Sequence, residues 1–507
     1  MQLLESLMRG LVCAGLLVCL SSTAAATVVS TEQGQFRGAQ ADWGWTFLGL
    51  PYARPPLGDL RWRPPQPAVA HKGVRAASAY GPACHQPQAV QRGLDATSED
   101  CLTLNVWTPG LDDGKRPVMV WIHGGGFRAG SGRIAGEALA VRGVVTVSFN
   151  YRLGPLGFFS HEALESEEAN FGLLDMVLAL QWVQANIGKF GGDPGNVTIF
   201  GVSAGGMAVS LLMVSPRAEG LFHRAIAQSG YSTWALPRTR HAPQTKVLSM
   251  AMAPPPSAER IAHGLVAKVA DQTTTPRSLR ALDGTALAEA VEGFHLPVVD
   301  GASLPEEPGL LIAQGRQHDV PLITGGNSNE GSVMPASGIS VAEFAGYHQG
   351  DQAAVERLYA EDYRRGREQG VARMFGDNRY LLAARVAGAG MGHVDSPAWL
   401  YYLDFVPAER RGEWLGTPHG YDAAILFAGA HAEDPAERAL ASRMQGFWVQ
   451  FARTGDPNGE GELVWPRYDR RTDRWMVLSA TDRAETGVIA DKLDILESHY
   501  QRRVGLE

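Results

Sequence analysis

The chain has 507 residues, with 45 Lys+Arg against 53 Asp+Glu, a formal net charge of −8 and 45 % apolar side chains. That is enough apolar material for a sizeable core and too little charge for a disordered chain. An acidic surface gains nothing from counterion release, which excludes a nucleic-acid or anionic-membrane binder, and the four cysteines are too few for a disulfide scaffold.

The N-terminal stretch Met1–Ala26 has a weakly basic start at Arg9, an apolar run from Leu11 to Leu20 and a small-residue end, Ser21-Ser22-Thr23-Ala24-Ala25-Ala26. Such a run is too short to cross ~30 Å of hydrocarbon at ~1.5 Å per residue, so the segment is predicted to be a cleaved export signal. Val18 before Cys19 is not the small residue that lipoprotein processing prefers. Cleavage removes Cys13 and Cys19 and leaves Cys84 and Cys101 in an oxidising compartment, where a single disulfide is the default. No later apolar run reaches spanning length, so no integral membrane segment is expected after signal removal. The mature protein is expected to be periplasmic or secreted.

Thr27–Leu48 alternates apolar and polar residues around Gly34 and Gly44 and predicts antiparallel strands. Pro51–Pro67 is proline-rich and must be irregular, because proline supplies no ladder donor. Pro117–Ile122 and Val144–Asn150 are continuous apolar runs, as strands buried on both faces require. Phe171–Ile187 predicts a helix, Val197–Phe200 a buried strand, Ala204–Val214 a helix and Arg224–Gln228 another strand. Residues Tyr231–Leu296 are more irregular and predict a lid over one end of the sheet. Val320–Thr324 and Ala398–Phe405 are late strands, Val341–Gly388 is helical, and Trp475–Leu478 adds an edge strand. This rhythm implies an α/β fold with a large, mostly parallel central sheet, helices on both faces and inserted lid segments.

Two motifs carry chemistry. Gly201-Val202-Ser203-Ala204-Gly205 is a G-x-S-x-G; it lies between a buried strand and a helix, where a sharp turn needs small residues on either side of an exposed serine. His123-Gly124-Gly125-Gly126-Phe127 follows directly on the strand ending at Ile122. The N–H groups of Gly125 and Gly126, with that of Ala204, would form an oxyanion hole. A phosphate loop is the rival use of such glycines, but the following Gly-Lys-Ser/Thr is missing.

A serine nucleophile needs an acid and then a histidine, each on a loop after a late strand. Glu330, in Gly325-Gly326-Asn327-Ser328-Asn329-Glu330-Gly331, is the acid candidate; Asp319 precedes its strand and falls at the wrong end. Among the histidines that follow, His348 and His393 precede the strand Ala398–Phe405. His431 opens a polar helix, and His499 falls in a C-terminus expected to fray. His419, on the turn-rich stretch Gly416-Thr417-Pro418-His419-Gly420, is the histidine of choice.

These motifs, with Phe47–Trp62, Ser98–Trp107, Asn150–Gly154, Gly191–Pro194, Pro297–Gly301 and Phe451–Pro457, make the chain resemble the type-B carboxylesterase family over essentially all of its mature length. This is the cholinesterase-like branch of the α/β-hydrolases, and the likeness is to its bacterial para-nitrobenzyl-esterase-like members. The resemblance implies a single catalytic domain over residues 27–507, Ser203 as acyl-enzyme nucleophile with Glu330 and His419, and a Cys84–Cys101 disulfide. It also implies that Arg61–Glu99 and Arg152–Asp175 are buried structural ion pairs, and it places Trp234 and Phe294 in the acyl pocket.

The departures are informative too. The family usually has Glu before the nucleophile, and here stands Val202; the loop His85–Asp100 carries no aromatic ring for a quaternary ammonium. A choline ester is therefore rejected. Asn196-Val197-Thr198 is a glycosylation sequon whose Thr198 falls in a buried strand. Asp100 and Asp300 have no His or Cys spacing around them, so no metal and no cofactor is expected. The expected activity is hydrolysis of small-molecule carboxylic esters. A lipase would need a more apolar lid than Tyr231–Leu296, and a non-catalytic adhesion module would be expected to have lost a triad residue.

Overall fold

Alternation decides which way each buried strand faces. Along the predicted strand ending at Ile122, Val118, Val120 and Ile122 enter one core cluster, while Met119 and Trp121 enter another. A strand has a two-residue period, so a continuous apolar run must have apolar matter on both of its sides. The computed structural model describes residues 27–506 except 92, 95, 165, 244–254, 272–274, 347–351 and 462. The expected signal Met1–Ala26, with Cys13 and Cys19, and His348 lie outside the described residues.

The central sheet has eleven strands: β1 (Ala39–Ala41), β2 (Gly44–Pro51), β3 (Thr103–Thr108), β4 (Arg116–Ile122), β5 (Val145–Phe149), β6 (Gly192–Val202), β7 (Arg224–Gln228), β8 (Leu322–Asn327), β9 (Ala398–Leu403), β10 (Arg474–Leu478) and β11 (Arg483–Thr486). Their spatial order is β11-β10-β9-β8-β7-β6-β4-β5-β3-β2-β1. Pairing is parallel from β5 to β10 and antiparallel at both margins. Helices α1 (Phe171–Asn186), α2 (Ala204–Val214) and α3 (Leu382–Gly390) cover one face. Helix α4 (Pro435–Thr454) covers the other, inserting Leu440, Met444, Trp448 and Phe451 against Trp121, Phe200, Trp399 and Tyr401. The fold is α/β, as expected.

Several boundaries differ from expectation. The strand predicted at Val197–Phe200 extends to Gly192–Val202 across a register irregularity, and Val320–Thr324 is displaced to Leu322–Asn327. Strand β3 was not predicted, and the sheet therefore begins well before Pro117. It interrupts its apolar run with Asn105, which is 4 % exposed and satisfied by Gly132, Ser148 and Gly49. Trp475–Leu478 is not the edge, because β11 pairs outside it. The C-terminus does not fray: Ala490–Val504 is a helix, α5, that buries Leu493, Leu496 and Tyr500.

The structure contains the Cys84–Cys101 disulfide, whose Cα atoms lie 5.0 Å apart across a separation of 17 residues. A loop of that size contributes ~3 kcal/mol in the chain-entropy account. Arg61 pairs with Glu99, and Arg152 reaches Asp175 through Nε at 2.8 Å and Nη2 at 2.7 Å. Asp175 also accepts the Arg152 backbone N–H at 3.0 Å.

A buried pair is costly to break on one side only. Asp175→Ala strands the Arg152 guanidinium, and urea unfolding is expected to show a loss of about 3–5 kcal/mol. A loss below about 1 kcal/mol would mean that water reaches Arg152.

Candidate active site

The turn after β6 brings backbone close against backbone. Ser203 has φ 59 and ψ −119, a left-handed conformation that costs a non-glycine residue about 1–3 kcal/mol. Helix α2 starts at the next residue and packs so close to β4 that a Cβ on Gly205 would lie 2.0 Å from the Ile122 carbonyl oxygen, and one on Gly201 2.5 Å from it. Both glycines are thus required by approach of backbone to backbone. The Ser203 N–H donates to the Gln228 carbonyl at 2.9 Å, and the side chain sits at the C-terminal end of the sheet, 8 % exposed.

The residue after Gln228 ties this turn to the acid. Ser229, itself held at φ 48, donates its hydroxyl to Glu330 Oε1 at 2.6 Å, and the same oxygen accepts the Asn327 N–H at 2.7 Å. Glu330 Oε2 pairs with His419 Nδ1, and the carboxylate is 1 % exposed. Two loops, after β8 and after β9, bring these residues together by cross-bonds. The Asn329 N–H reaches the Thr417 carbonyl at 2.8 Å, Asn327 Nδ2 the Pro418 carbonyl at 2.9 Å, and the His419 N–H the Ser332 hydroxyl at 2.9 Å. The Tyr380 ring lies 4.5 Å from the imidazole. His419 Nε2 is buried and makes no hydrogen bond among the described residues.

The loop His123–Phe127 is pinned by its carbonyls. His123 accepts from the Tyr151 hydroxyl at 2.9 Å, Gly124 from His123 Nδ1 at 2.8 Å, Gly125 from Ala129 at 3.0 Å, Gly126 from His295 at 2.9 Å and Phe127 from Gly154 at 2.6 Å. The N–H groups of Gly125, Gly126 and Ala204 donate to no acceptor among the described residues. Gly126 has φ 63, and a Cβ there would sit 2.3 Å from the Phe294 ring. Gly124 approaches Ser203, with 3.3 Å from its would-be Cβ to Ser203 Cβ.

Phe294 thus lies against the glycine loop, and Trp234, 6 % exposed, stacks on Phe344 at 6.4 Å. Val202 packs into the apolar cluster on the α4 side. His393 and His431 are exposed, and His499 lies on the packed helix α5. Asp300 is occupied as an acceptor for Asn170, Ser303 and the Ala169 backbone. Thr198 of the sequon is fully buried. The residues that sequence reasoning missed are Ser229, Ser332 and Tyr380. Only Ser229 had a signal, a polar residue immediately after a parallel strand.

A family model described as the carboxylesterase family matches residues 25–496. The chain belongs to the carboxylesterase family. Among curated relatives, this carboxylesterase is 36 % identical to the fumonisin B1 esterase of Sphingopyxis macrogoltabida, over 87 % of this chain and 84 % of that one. It is 34 % identical to the para-nitrobenzyl esterase of Bacillus subtilis, over 92 % and 97 %. A solved PNB esterase superposes with a TM-score of 0.79 at 30 % identity, covering 93 % of this chain and 100 % of the other. A Geobacillus stearothermophilus carboxylesterase matches equally well, with a TM-score of 0.79, 30 % identity and coverage of 94 % and 100 %. The fold is accordingly that of an α/β-hydrolase, and the enzyme a carboxylic ester hydrolase. No helix among the described residues is long and apolar enough to cross a membrane.

Burial pulls the pKa of His123 down from 6.5 to about 4, so the imidazole that braces the loop is neutral. Between those two values the unfolded chain binds a proton that the folded chain refuses, and stability must fall as pH drops through the window. The loss from this residue is on the order of 3 kcal/mol. The urea midpoint of the wild type is expected to fall more between pH 7 and pH 5 than that of His123→Phe. Equal falls would show that His123 does not titrate in this way.

Proposed function

We propose that this carboxylesterase cleaves esters through an acyl-enzyme on Ser203, with His419 as base and acid and Glu330 as its partner. The observation that carries the reading is the Glu330–His419 pair, tied through Ser229 to the turn that holds Ser203. Glu330 at Nδ1 selects the tautomer in which Nε2 is the basic nitrogen. His419 Nε2 takes the Ser203 hydroxyl proton as Oγ bonds to the ester carbonyl carbon. The carbonyl oxygen becomes an oxyanion facing the N–H groups of Gly125, Gly126 and Ala204, where one donor is typically worth ~3 kcal/mol to the transition state. The C–O bond to the alcohol then breaks, and the alkoxide leaves with the proton from Nε2. Water repeats the sequence: Nε2 accepts its proton, hydroxide adds to the acyl carbon, and Ser203 regains its proton as the acid departs. Each half-reaction moves one proton onto Nε2 and off again, and only the two together return the enzyme to its starting state.

Pinning all five carbonyls of the glycine loop fixes where its N–H groups point before substrate arrives. Such preorganisation is what makes a neutral donor effective against a developing charge. Ser229 acts through Glu330 and is a positioning residue.

Export with removal of Met1–Ala26 is proposed as well, supported by the Cys84–Cys101 bond, which a reducing compartment would not maintain. Intact mass of the mature protein is expected to begin at Thr27, and alkylation without reductant should label neither cysteine. Free thiols at both positions would rule export out.

For the reaction itself, hydrolysis of p-nitrophenyl esters of graded chain length is the measurement. Ser203→Ala is expected to lose at least about 10⁴-fold in kcat. Ser229→Ala, which removes one hydrogen bond to a charged acceptor, should lower kcat roughly 10-fold with KM little changed. Undiminished turnover by Ser203→Ala would sink the mechanism.

A further inference from the structure

Among the described residues five arginines are buried: Arg61, Arg152, Arg379, Arg385 and Arg503. Four of them hold carboxylates, Glu99, Asp175, Asp494 and Glu307 respectively. Arg379, 1 % exposed, pairs with no carboxylate among the described residues. Asp377, on the same turn, has Lys492 and Arg373 as its cationic neighbours instead.

The unpaired part of Arg379 is specific. Its Nε and Nη2 are both buried without a well-aligned hydrogen-bond partner among the described residues. Those two nitrogens form one edge of the guanidinium, and it is the edge with which Arg61 and Arg152 grip Glu99 and Asp175. A carboxylate matches this edge with two parallel hydrogen bonds. What surrounds Arg379 instead is a box of rings. Its guanidinium carbon lies 4.2 Å from the ring centre of Tyr231, 4.3 Å from Trp234, 5.4 Å from Phe294, and 5.8 Å from Phe375 and Tyr380. Ring faces soften the cost of burying a cation but accept no in-plane hydrogen bonds. The hydroxyls of Tyr231 and Tyr380 are buried beside it, close enough for the Arg379 charge to oppose the rise that burial causes, yet neither makes a well-aligned hydrogen bond among the described residues; the Tyr231 hydroxyl, at about 12, stays protonated.

The box adjoins the site on both sides. Phe294 touches Gly126 of the glycine loop, and Tyr380 lies on His419. Arg379 sits in the π-helical turn Asp377–Leu381, and Gly376 just before it abuts Glu330, with 2.9 Å between its would-be Cβ and Glu330 Cβ. A wide turn of this kind is rare in helices and is found mostly at functional positions.

We propose that Arg379 binds a second carboxylate on the acyl part of the ester, which makes half-esters of dicarboxylic acids the preferred substrate class. The assignment rests on the Ser203 reading above. The acyl side is chosen because Phe294 joins Arg379 to the loop that faces the ester carbonyl. The free carboxylate completes the guanidinium edge as the carbonyl meets Gly125 and Gly126. The enzyme then hydrolyses the ester bond at the other end, releasing the alcohol and the dicarboxylic acid.

The test compares ethanol release from monoethyl succinate, glutarate and adipate with release from the corresponding ethyl methyl diesters. The best half-ester is expected to exceed its diester in kcat/KM by roughly 30-fold or more, the scale of one hydrogen bond between charged partners. Arg379→Leu should bring that ratio to within about 3-fold of unity, and Arg379→Lys should keep part of it. A wild type that favours the diester, or a preference that survives in Arg379→Leu, overturns the proposal. A preference found instead for 4-acetoxybutyrate, whose carboxylate is on the alcohol, overturns the acyl assignment. Should the Arg379 variants fail to fold, calorimetry on Ser203→Ala decides without turnover: the half-ester is expected to bind at least about 10-fold more tightly than the diester, and equal binding refutes the proposal. Failure of the acyl-enzyme reading would show separately, as turnover by Ser203→Ala, while the wild-type ratio still judges Arg379.

Discussion

Everything at this site depends on how closely α2 can approach β4. The carbonyl oxygen of Ile122 leaves no room for a Cβ at Gly201 or Gly205, and that contact drives Ser203 into its left-handed conformation. Local strain of this kind persists only where the surroundings over-determine it. Here they do, because β6 is paired on both sides and α2 is buried along its whole length. The same close packing sets the glycine loop, which leaves the end of β4, beside the serine turn.

The second layer of organisation is polar. Gln228 and Ser229 follow one another at the end of β7; the first holds the Ser203 backbone and the second the Glu330 carboxylate. Glu330 in turn holds His419, so a single strand end coordinates groups contributed by three others. Such a chain tolerates burial because its acceptors are filled: Glu330 receives three donors, and the glycine-loop carbonyls each receive at least one. Buried polar groups without partners occur in several parts of the described residues; those that adjoin this site include His419 Nε2, the Tyr380 hydroxyl and Arg379. Unfilled buried polar groups are expensive in a folded protein, whether they are donors or acceptors.

The sequence by itself determined the buried strands, the serine turn, the glycine loop and the placing of Glu330 and His419 on loops that follow late strands. Each rests on a local signal: a continuous apolar run for β4 and β5, small residues around Ser203, three glycines after His123, and loops that follow strands. It could not place β3, whose Asn105 is matched by partners far along the chain, or α5, whose apolar residues are spaced among charges. Nor could it single out Ser229, Ser332 or Tyr380 as neighbours of Glu330 and His419. Only the tertiary structure decided those contacts, and only it distinguished Arg379 from the four buried arginines that have carboxylates. The physical reason is that partnership belongs to pairs of residues far apart in the chain, so no window of sequence around Arg379 reveals that it has no carboxylate partner among the described residues.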